Sequence, residues 1–512
     1  MGITPYLRLC RAGFVLAREG AFSLVDASVL PPVGQVALKL VRIVERGAVK
    51  KTGRVERLTR ALNRLGPTYV KFGQLLGTRP DIVGALIAQD LSALQDRMDP
   101  FDARLVPAIL KQALGDKAIA LTQLSPPIAA ASIAQVHKAV LVRSEGKNET
   151  VAVKILRPDV EKRFRQDLES FYAGARLAEK FVPPLRRLKP VSVIETLDRS
   201  ARLELDLRLE AASISEFGEN TSDDTGFSVP EVKWEQVASN VLTTSFVEGI
   251  PIRDNVGIDA AGIDRKTLAA HLMQSFLRHA IRDGFFHADM HPGNLFADPK
   301  SHGVIAVDFG IMGRIGRRER RFLADILYGF ITRDYKMIAR RHFEIGYVPK
   351  DQSVDDFALA LRSIGEPLHG RLSREISMAR VLGQLFAVTD LFSMQARPEL
   401  LLLQKTMVLV EGVARALDPD LNIWDVSEPV VKAWLTEQAG PKGRIEDITE
   451  HVRRVGEALG QVPSLITRAN AALEDYEAQK NQPRSHPFGW LAGTTLVLLS
   501  LASLGYLWNM IF

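Results

Sequence analysis

Two short motifs in the second half of the chain contain the residue types that phosphoryl transfer requires. Asp289 and Asn294 stand five positions apart in Asp-Met-His-Pro-Gly-Asn, and Asp308 opens Asp-Phe-Gly fourteen residues beyond Asn294. In kinase-like phosphoryl transfer the first Asp orients or deprotonates the nucleophile, while the Asn and the second Asp hold Mg²⁺ on the nucleotide phosphates. Asp-Phe-Gly alone would be weak evidence, because this tripeptide also arises by chance. Both motifs in this order, around a strand-like run, predict a site for ATP and Mg²⁺.

An extended region upstream has the pattern of a phosphate-holding half-site. We predict strands at 121–124, in a stretch ending at Val142, and at 151–155, where Lys154 is the one charged residue. Small residues between the first two strands would let the backbone approach phosphates, and Lys154 would supply a positive charge to them. Either feature alone is common in ordinary packing. The predicted ATP-binding loop is Ala129, Ala130, Ala131, Ser132, Ile133, Ala134, Gln135, Val136 and His137.

Two glutamates near residue 207 are candidates to pair with lysines. The stretch 200–212 alternates Leu with polar residues, which fits a strand or a helix, but Ala, Leu, Glu and Arg dominate and favour one helix. On a single helix Glu204 and Glu210 would lie about 240° apart around the axis, so they would face different partners. A solvated acidic face is the alternative interpretation for either residue alone.

The elements around the catalytic motif can also be predicted. The stretch 266–283 has the pattern of an amphipathic helix that would support the loop at Asp289. His287 and His291 have a spacing that could bind zinc, but oxygen ligands suit Mg²⁺ and His287 directly precedes the catalytic segment, so we reject a zinc site. Beyond Gly310 the sequence is helical in pattern to about residue 480, and it contains no Ala-Pro-Glu.

Composition describes an ordinary globular protein. The chain has 512 residues, of which 46% are hydrophobic and 25% charged, enough for two to four domains or lobes. A net charge of +6 suits an anionic ligand or a membrane surface as well as nucleic acid, so charge selects no partner by itself. The one cysteine, Cys10, excludes an internal disulfide framework.

The two ends of the chain carry different signals. Residues 1–65 have helical spacing with a Pro31-Pro32 break, no secretory signal pattern, and a basic face that fits solvent or anionic lipid. Residues 488–512 contain no charged residue, and as a helix would be about 37 Å long. We predict one membrane-spanning helix, with a buried terminal helix as the alternative. Basic residues precede this segment and none follows, so we expect the body on the cytoplasmic side.

Together these motifs resemble the UbiB family of atypical kinase-like ATPases, which are linked to ubiquinone (coenzyme Q) biosynthesis. The most specific mark is Lys71-Phe72-Gly73-Gln74, which resembles the family's Lys-x-Gly-Gln motif; the Ala-rich loop and Glu204-x-Asp206 are further marks. The resemblance implies that Lys154 pairs with Glu210 and that Lys71 with Glu204 ties an N-terminal extension over the active site. The residues it assigns to autoregulation are Lys71, Gly73, Gln74, Glu204 and Asp206.

The fold class that the resemblance implies is α+β, an atypical protein-kinase-like bilobal fold with helical additions. We expect a helical extension at 1–100, an N-lobe at 101–250 and a C-lobe at 251–345. A helical C-terminal region should follow at 346–480, and the transmembrane helix at 488–512. Bacterial relatives commonly show two C-terminal hydrophobic segments, whereas this chain has room for one.

The activity that the resemblance implies is Mg²⁺-dependent ATP hydrolysis supporting ubiquinone biosynthesis, with autophosphorylation or a small lipid-like acceptor as further outcomes. Asp289, Lys154 and Glu210 would be catalytic, and Asn294 with Asp308 would hold the metal. The expected partners are membrane lipids, prenylated quinone precursors and other ubiquinone-biosynthesis enzymes, with no nucleic acid, at the bacterial inner membrane. The alternatives are a lipid-binding scaffold with a regulatory nucleotide site and an ordinary protein kinase.

Overall fold

The computed structural model describes most of the chain in residues 4–440. The described residues are 4–24, 44, 45, 53–77, 83, 87, 90, 91, 98–143, 146, 148–181, 186, 188–368, 388, 391, 392, 394 and 398–440. The helices are α1 Thr4–Arg18, α2 Arg54–Leu65, α3 Pro67–Gly77, α4 Val106–Leu114, α5 Val160–Phe181, α6 Pro190–Glu204, α7 Leu207–Asn220, α8 Asn255–Ala260, α9 Arg265–Arg278, α10 Arg317–Thr332, α11 Tyr335–Ile345, α12 Val354–Gly365, α13 Pro398–Leu417 and α14 Ile423–Ala439. The strands are β1 Leu121–Thr122, β2 Pro127–Ala130, β3 Ala134–Leu141, β4 Glu149–Leu156, β5 Phe227–Ser228, β6 Val241–Ser245, β7 Ile250–Pro251, β8 Phe285–His287, β9 Leu295–Ala297, β10 Val304–Ala306 and β11 Met312–Arg314.

A five-stranded antiparallel sheet forms the first lobe. The strand order is β1-β3-β4-β6, and β2 pairs with the other end of β3. Successive side chains of a strand point to opposite faces. Val151, Val153 and Ile155 of β4 are therefore buried together against Val106 and Leu110 of α4. Lys154 has the opposite parity, so it faces away from that apolar layer.

The predicted strands at 121–124 and 151–155 are confirmed, with a shorter first strand. Strand β1 ends at Thr122 because Gln123 adopts a left-handed backbone, with φ of +51°. The prediction of one continuous loop from Ala129 to His137 is wrong. Strand β2 ends at Ala130 and β3 begins at Ala134, so only the turn between them is a loop.

Polar side chains inside the sheet explain this difference. Gln135 accepts a hydrogen bond from the backbone N–H of Phe101, with an N to Oε1 distance of 3.0 Å. His137 bonds through Nδ1 to the Ser125 carbonyl oxygen at 2.8 Å. Both buried polar groups have hydrogen-bond partners, so this segment can form strands. Its small residues do not predict strands from the sequence alone.

The N-terminal helices pack on α5 and α6. Tyr69 and Val70 of α3 join Phe171 of α5 and Leu197 of α6 in one apolar cluster, and the Tyr69 and Phe171 ring centroids are 4.8 Å apart. Gly66-Pro67 is typical of a helix N-terminus with Pro in its first turn, and helix α3 does begin at Pro67. Its approach to α5 requires Gly66, whose φ is +111° and whose added Cβ would lie 2.7 Å from the Arg163 guanidinium. The predicted Pro31-Pro32 break lies outside the described residues.

The single helix predicted over 200–212 is wrong, because the chain breaks between α6 and α7. Asp206 caps α7: its carboxylate accepts the backbone N–H of Arg208 at 3.1 Å. The N–H of Leu207 donates to the Ser239 carbonyl oxygen at 2.8 Å. Glu204 therefore ends one helix, and Glu210 lies in the first turn of the next. Glu204 and Glu210 do face different partners. The reason is the break between the two helices, and not an angular separation on one helix.

The second lobe holds two small sheets, β5-β10-β9-β7 and β11-β8, beside several helices. The predicted helix at 266–283 is confirmed as α9, which continues in π-helical geometry over His279–Asp283. The sequence pattern also predicts strands at Val241–Phe246 and at Val229-Pro230. The first is present as β6, whereas the second is displaced to Phe227–Ser228. Among the described residues beyond Gly310, β11 precedes five further helices, in line with the helical prediction.

The chain divides into two compact units, Met1–Ser427 and Glu428–Phe512. In the second unit the described residues, 428–440, include the end of α14, where Lys432 and Glu428 form an ion pair. No helix within the described residues is long and apolar enough to cross a membrane. The span predicted at 488–512 and the helical stretch predicted up to 480 lie outside them, from residue 441 onward.

A buried histidine on α11 predicts a pH dependence of stability. Burial lowers the pKa of His342 from 6.5 to about 4. Between these values the unfolded chain binds a proton that the folded chain does not, so stability falls as the pH drops. From pH 7 to pH 5 we expect His342 to contribute a loss of about 2 kcal/mol. His342→Gln should remove that contribution from urea unfolding curves, whereas His279 and His287 remain in both proteins. Equal pH dependence in both proteins would refute this assignment.

Candidate active site

A buried histidine positions the catalytic loop. His287 ends β8, with its Nε2 3.2 Å from the Val307 carbonyl oxygen, and its Nδ1 accepts the backbone N–H of Asp289 at 3.1 Å. The ring is therefore neutral with its proton on Nε2, and burial lowers the pKa of His287 accordingly. Since both ring nitrogens are used, His287 has no lone pair for a metal. Its role is to orient Asp289.

The loop then folds back so that Asn294 braces Asp289. The Asn294 Nδ2 donates to the Asp289 carbonyl oxygen at 3.1 Å, and the Val307 N–H donates to the Asn294 carbonyl oxygen at 2.9 Å. Asn294 is buried, whereas the Asp289 side chain is 38% exposed. These bonds bring both predicted residues next to the strand that leads to Asp308. The Asp289 carboxylate is left open to the adjoining cavity.

Lys154 joins the two lobes through two carboxylates. Its Nζ lies 2.7 and 2.9 Å from the two oxygens of Glu210 and 2.9 Å from Oδ1 of Asp308. Burial opposes the charge on Lys154, but the two carboxylates outweigh it and raise the lysine pKa. Partial desolvation likewise disfavours the ionised form of Asp308, although its side chain is 44% exposed. The Lys154 ammonium overcomes this effect and holds the Asp308 pKa below its usual range.

Of these three residues, Glu210 has the least favourable electrostatic environment for its charge. Burial raises the pKa of Glu210, the Lys154 ammonium opposes the rise, and the nearby Asp308 carboxylate adds to it. Two carboxylates thus share one ammonium, and any new positive charge beside Asp308 would relieve their repulsion. The predicted pairing of Lys154 with Glu210 is present in the structure, and the direct contact of Lys154 with Asp308 is an addition to it.

The ion pair between Lys71 and Glu204 lies at the same cavity. The Lys71 Nζ is 2.6 Å from Glu204 Oε2, and each side chain is 13% exposed. The cavity measures about 380 Å³, and both residues line it together with Lys154, Asp289 and Asp308. Helix α3 therefore borders the space in front of the catalytic residues.

The remaining residues of the predicted autoregulatory set lie elsewhere. Gly73 is buried in α3 and Gln74 is half-buried, and neither lines the cavity. Asp206 caps α7 and pairs with Arg208. Asp206 thus starts the helix that carries Glu210, while Gly73 and Gln74 lie on the helix that carries Lys71.

Of the nine residues in the predicted ATP-binding loop, Ala131 and Ile133 line the cavity. They belong to the turn between β2 and β3. Gln135 and His137 are buried, with hydrogen bonds inside the sheet. The remaining members are Ala129, Ala130, Ser132, Ala134 and Val136, none of which lines this cavity.

An ion pair at the cavity was not predicted from the sequence. Arg314 Nη1 lies 2.7 Å from Glu216 Oε1, and the Arg314 guanidinium carbon lies 4.0 Å from the centroid of the Phe285 ring. Arg314 is on β11 and Glu216 is on α7, 98 positions apart in the chain. No short motif joins residues at that separation.

The donor set fits a hard divalent cation. With its Nδ2 committed to Asp289, the Asn294 amide presents Oδ1 as an acceptor, and Asp308 has Oδ2 beyond the oxygen that Lys154 occupies. Carboxylate and amide oxygens are the ligands that Mg²⁺ prefers. The site thus combines oxygen ligands for a metal, an ammonium for phosphates and an open carboxylate at Asp289.

A threonine on α13 is expected to support the catalytic loop. The fully buried Thr406 hydroxyl lies 3.2 Å from the Ala288 carbonyl oxygen and 2.8 Å from that of Leu402. Thr406→Val should lower the free energy of unfolding by about 1 kcal/mol, because it leaves a buried carbonyl without its donor. Thr406→Ser keeps the hydroxyl and should retain most of this stability in thermal unfolding. If the Val variant were as stable as the Ser variant, the contact would carry no energy.

Comparison with known proteins agrees with this geometry. The ABC1 atypical kinase-like domain matches residues 93–342, and the UbiB helical domain matches residues 361–422. A solved structure of Rv3197 with erythromycin, from Mycobacterium tuberculosis, is 23% identical with a TM-score of 0.50. That match covers 78% of this chain and 98% of the other. The fold and the site together define an atypical kinase-like protein.

Full-length relatives narrow this class further. The chain is 38% identical to the "Probable protein kinase UbiB" of Marinobacter nauticus over 91% of this chain and 85% of the relative. It is 37% identical to the protein of the same name from Vibrio vulnificus, over 87% and 84% of the two chains. The Aeromonas hydrophila protein of that name is also 37% identical, over 91% of this chain and 86% of the relative. The chain belongs to the UbiB family.

Proposed function

We propose that this protein is a Mg²⁺-dependent ATPase in which Lys154 holds the nucleotide phosphates and Asp289 orients the attacking water or hydroxyl. The observation that carries the proposal is the contact of Lys154 with both Glu210 and Asp308, beside the open Asp289 carboxylate. Mg²⁺, when bound, neutralises charge that develops on the transferring phosphoryl group. Asn294 and Asp308 would supply its protein oxygen ligands.

The residues of this chain have separate tasks in that reaction. Glu210 keeps the Lys154 ammonium at the cavity, where it can donate hydrogen bonds to phosphate oxygens in place of Asp308. His287 holds the backbone of Asp289, and Asn294 holds it from the other side. These two hydrogen bonds fix the backbone of Asp289. Its carboxylate can therefore align the nucleophile or take the nucleophile's proton.

Helix α3 favours water or a small acceptor over a protein substrate. Lys71 and Glu204 form their ion pair at the cavity that also contains Asp289. An ordinary protein kinase must admit a peptide hydroxyl to its catalytic Asp. The ion pair lines the same cavity as Asp289 and so limits the space for such a peptide. We therefore favour ATP hydrolysis, autophosphorylation or a small lipid-like acceptor over phosphorylation of other proteins.

The physiological setting that we propose is ubiquinone biosynthesis at the bacterial inner membrane. Family membership supports this setting, and the charge-free stretch 488–512 supports a single C-terminal membrane anchor with the body on the cytoplasmic side. In this role ATP turnover would assist the enzymes that modify prenylated quinone precursors. The membrane would bring the protein and those apolar precursors to the same surface.

The experiment that tests this function measures ubiquinone content in a bacterial strain that lacks its own UbiB protein. The wild-type chain should restore quinone, Asp289→Asn should not, and Asp223→Asn, an exposed Asp outside the cavity, should behave as wild type. A scaffold that needs the membrane but no turnover predicts another pattern. It would be supported if Asp289→Asn restored quinone while removal of residues 488–512 abolished it.

A further inference from the structure

A second cavity lies on the N-terminal helices, apart from the catalytic residues. It measures about 520 Å³ and is bordered by α1, by α2 and α3, and by the first turns of α5. Tyr69 of α3 lines this cavity, whereas Lys71, two residues later, lines the catalytic one. The two sites are thus separate cavities that share one short helix.

The second cavity has an excess of positive charge. Five basic side chains line it against two acidic ones, Asp159 and Asp167. One of the five, Arg64, is paired with Glu19 at 2.9 Å. The other four are Arg8, Arg11, Lys162 and Arg163. A concave surface with one dominant sign of charge concentrates ions of the opposite sign.

Among the described residues, the two aspartates offset only part of the charge on these four side chains. Arg8 donates to the Gln166 carbonyl oxygen at 3.1 Å, and Arg163 donates to the Leu65 carbonyl oxygen at 3.2 Å. These contacts fix two guanidinium groups through neutral partners, and Asp167 offsets part of their charge. Within the part of the chain that the structure describes, Arg11 and Lys162 form no ion pair. Fixed guanidinium groups in a concave site are suited to phosphate oxygens.

Two further features favour an anion over a neutral ligand. The first turn of the 22-residue helix α5 borders the cavity, and the N-terminal end of a helix carries positive partial charge. Burial, and then the charge of Asp167, raise the pKa of Tyr69 to about 12. The phenol therefore stays protonated and can donate a hydrogen bond to an oxyanion.

We propose that the cavity lined by Arg8, Arg11, Lys162 and Arg163 is a binding site for a phosphate-bearing anion, separate from the ATP site. The anion is a soluble phosphate compound or the phosphate headgroup of a lipid. Leu7 and Phe14, which are 60% and 51% exposed, lie one turn to either side of Arg11 on α1 and would meet lipid beside a bound headgroup.

The test compares two double variants of the full chain. Arg11→Gln/Lys162→Gln removes two exposed charges from the cavity. Arg18→Gln/Arg165→Gln removes two exposed charges from the same helices outside it. Inorganic pyrophosphate is titrated calorimetrically while a non-hydrolysable ATP analogue saturates the catalytic cavity. In a second arm, flotation measures binding to phosphatidylglycerol vesicles and to phosphatidylcholine vesicles.

A soluble ligand predicts that pyrophosphate binds the wild-type protein and that the cavity variant weakens this binding at least about tenfold. A lipid ligand predicts weak or no pyrophosphate binding, together with phosphatidylglycerol binding that the cavity variant loses. The Arg18/Arg165 variant should stay within about twofold of wild type in both arms. The proposal is overturned if neither probe binds, or if the two variants weaken binding equally. Because the readout is binding, the result does not depend on ATP turnover.

Discussion

Lys154→Ala is expected to lower ATP turnover by at least about a hundredfold, because it removes the ammonium that we propose binds the phosphates. It should also destabilise the fold. Lys154 and Glu210 are 16% and 7% exposed, and the variant leaves Glu210 buried beside Asp308 without a counter-ion. Breaking a buried pair in this way costs about 3 kcal/mol. Turnover assays and urea unfolding of the same preparations would measure both effects.

Lys138→Ala provides the matched control for this variant. Lys138 lies on the neighbouring strand β3 and is exposed, with its ammonium 4.6 Å from the centroid of the Phe246 ring. We expect its turnover to stay within about twofold of wild type, and the stability loss to stay below about 1 kcal/mol. If Lys154→Ala retained turnover comparable to Lys138→Ala, Lys154 would not be the phosphate-binding residue.

Asp308→Asn is expected to separate activity from stability. The variant loses a charged oxygen ligand for Mg²⁺, so turnover should fall about a hundredfold or more. Its fold should lose about 1 kcal/mol, because the Lys154 contact that lowers the Asp308 pKa is lost, whereas Lys154 keeps its two bonds to Glu210 and the repulsion between the two carboxylates disappears. Asn is the suitable replacement because Asp308 has a left-handed backbone, with φ of +63°, and Asn tolerates that conformation.

The informative comparison is between the two variants. Lys154→Ala should be inactive and clearly less stable, whereas Asp308→Asn should be inactive with only a small loss of stability. Asp308→Asn should also need a higher Mg²⁺ concentration for its residual turnover. A variant that kept the wild-type rate at the same Mg²⁺ concentration would exclude Asp308 as a metal ligand.

The candidate catalytic residues could be singled out because the proposed chemistry requires particular residue types at short spacing. Asp289 and Asn294 belong to one loop, and a single strand leads from that loop to Asp308. Lys154 could be singled out in a similar way, because it is the one charged residue on an apolar strand. For Lys71 and Glu204 the residues alone left several interpretations open, and the family motif supplied their pairing, which the structure contains.

What the sequence could not predict depends on contacts between distant positions. Helix α6 ends before Asp206 because the Leu207 N–H bonds to Ser239 and not to its own helix. The direct bond of Lys154 to Asp308 spans 154 positions, and no local pattern encodes it. The limits of the Ala-rich loop were missed for a related reason, since Gln135 finds its partner at Phe101. Local propensity indicates the secondary structure of a segment, but it does not indicate which distant residue provides a hydrogen-bond partner for that segment.

The central claim is that Asp289 acts in Mg²⁺-dependent ATP hydrolysis. The most direct test measures phosphate release by the purified full chain, wild type and Asp289→Asn, with Mg²⁺ and with a chelator. We expect wild-type turnover to require Mg²⁺, and turnover by the variant to fall by a factor of about 10² to 10⁴ while its affinity for ATP is retained. Equal phosphate release by the two proteins in Mg²⁺ would contradict the claim.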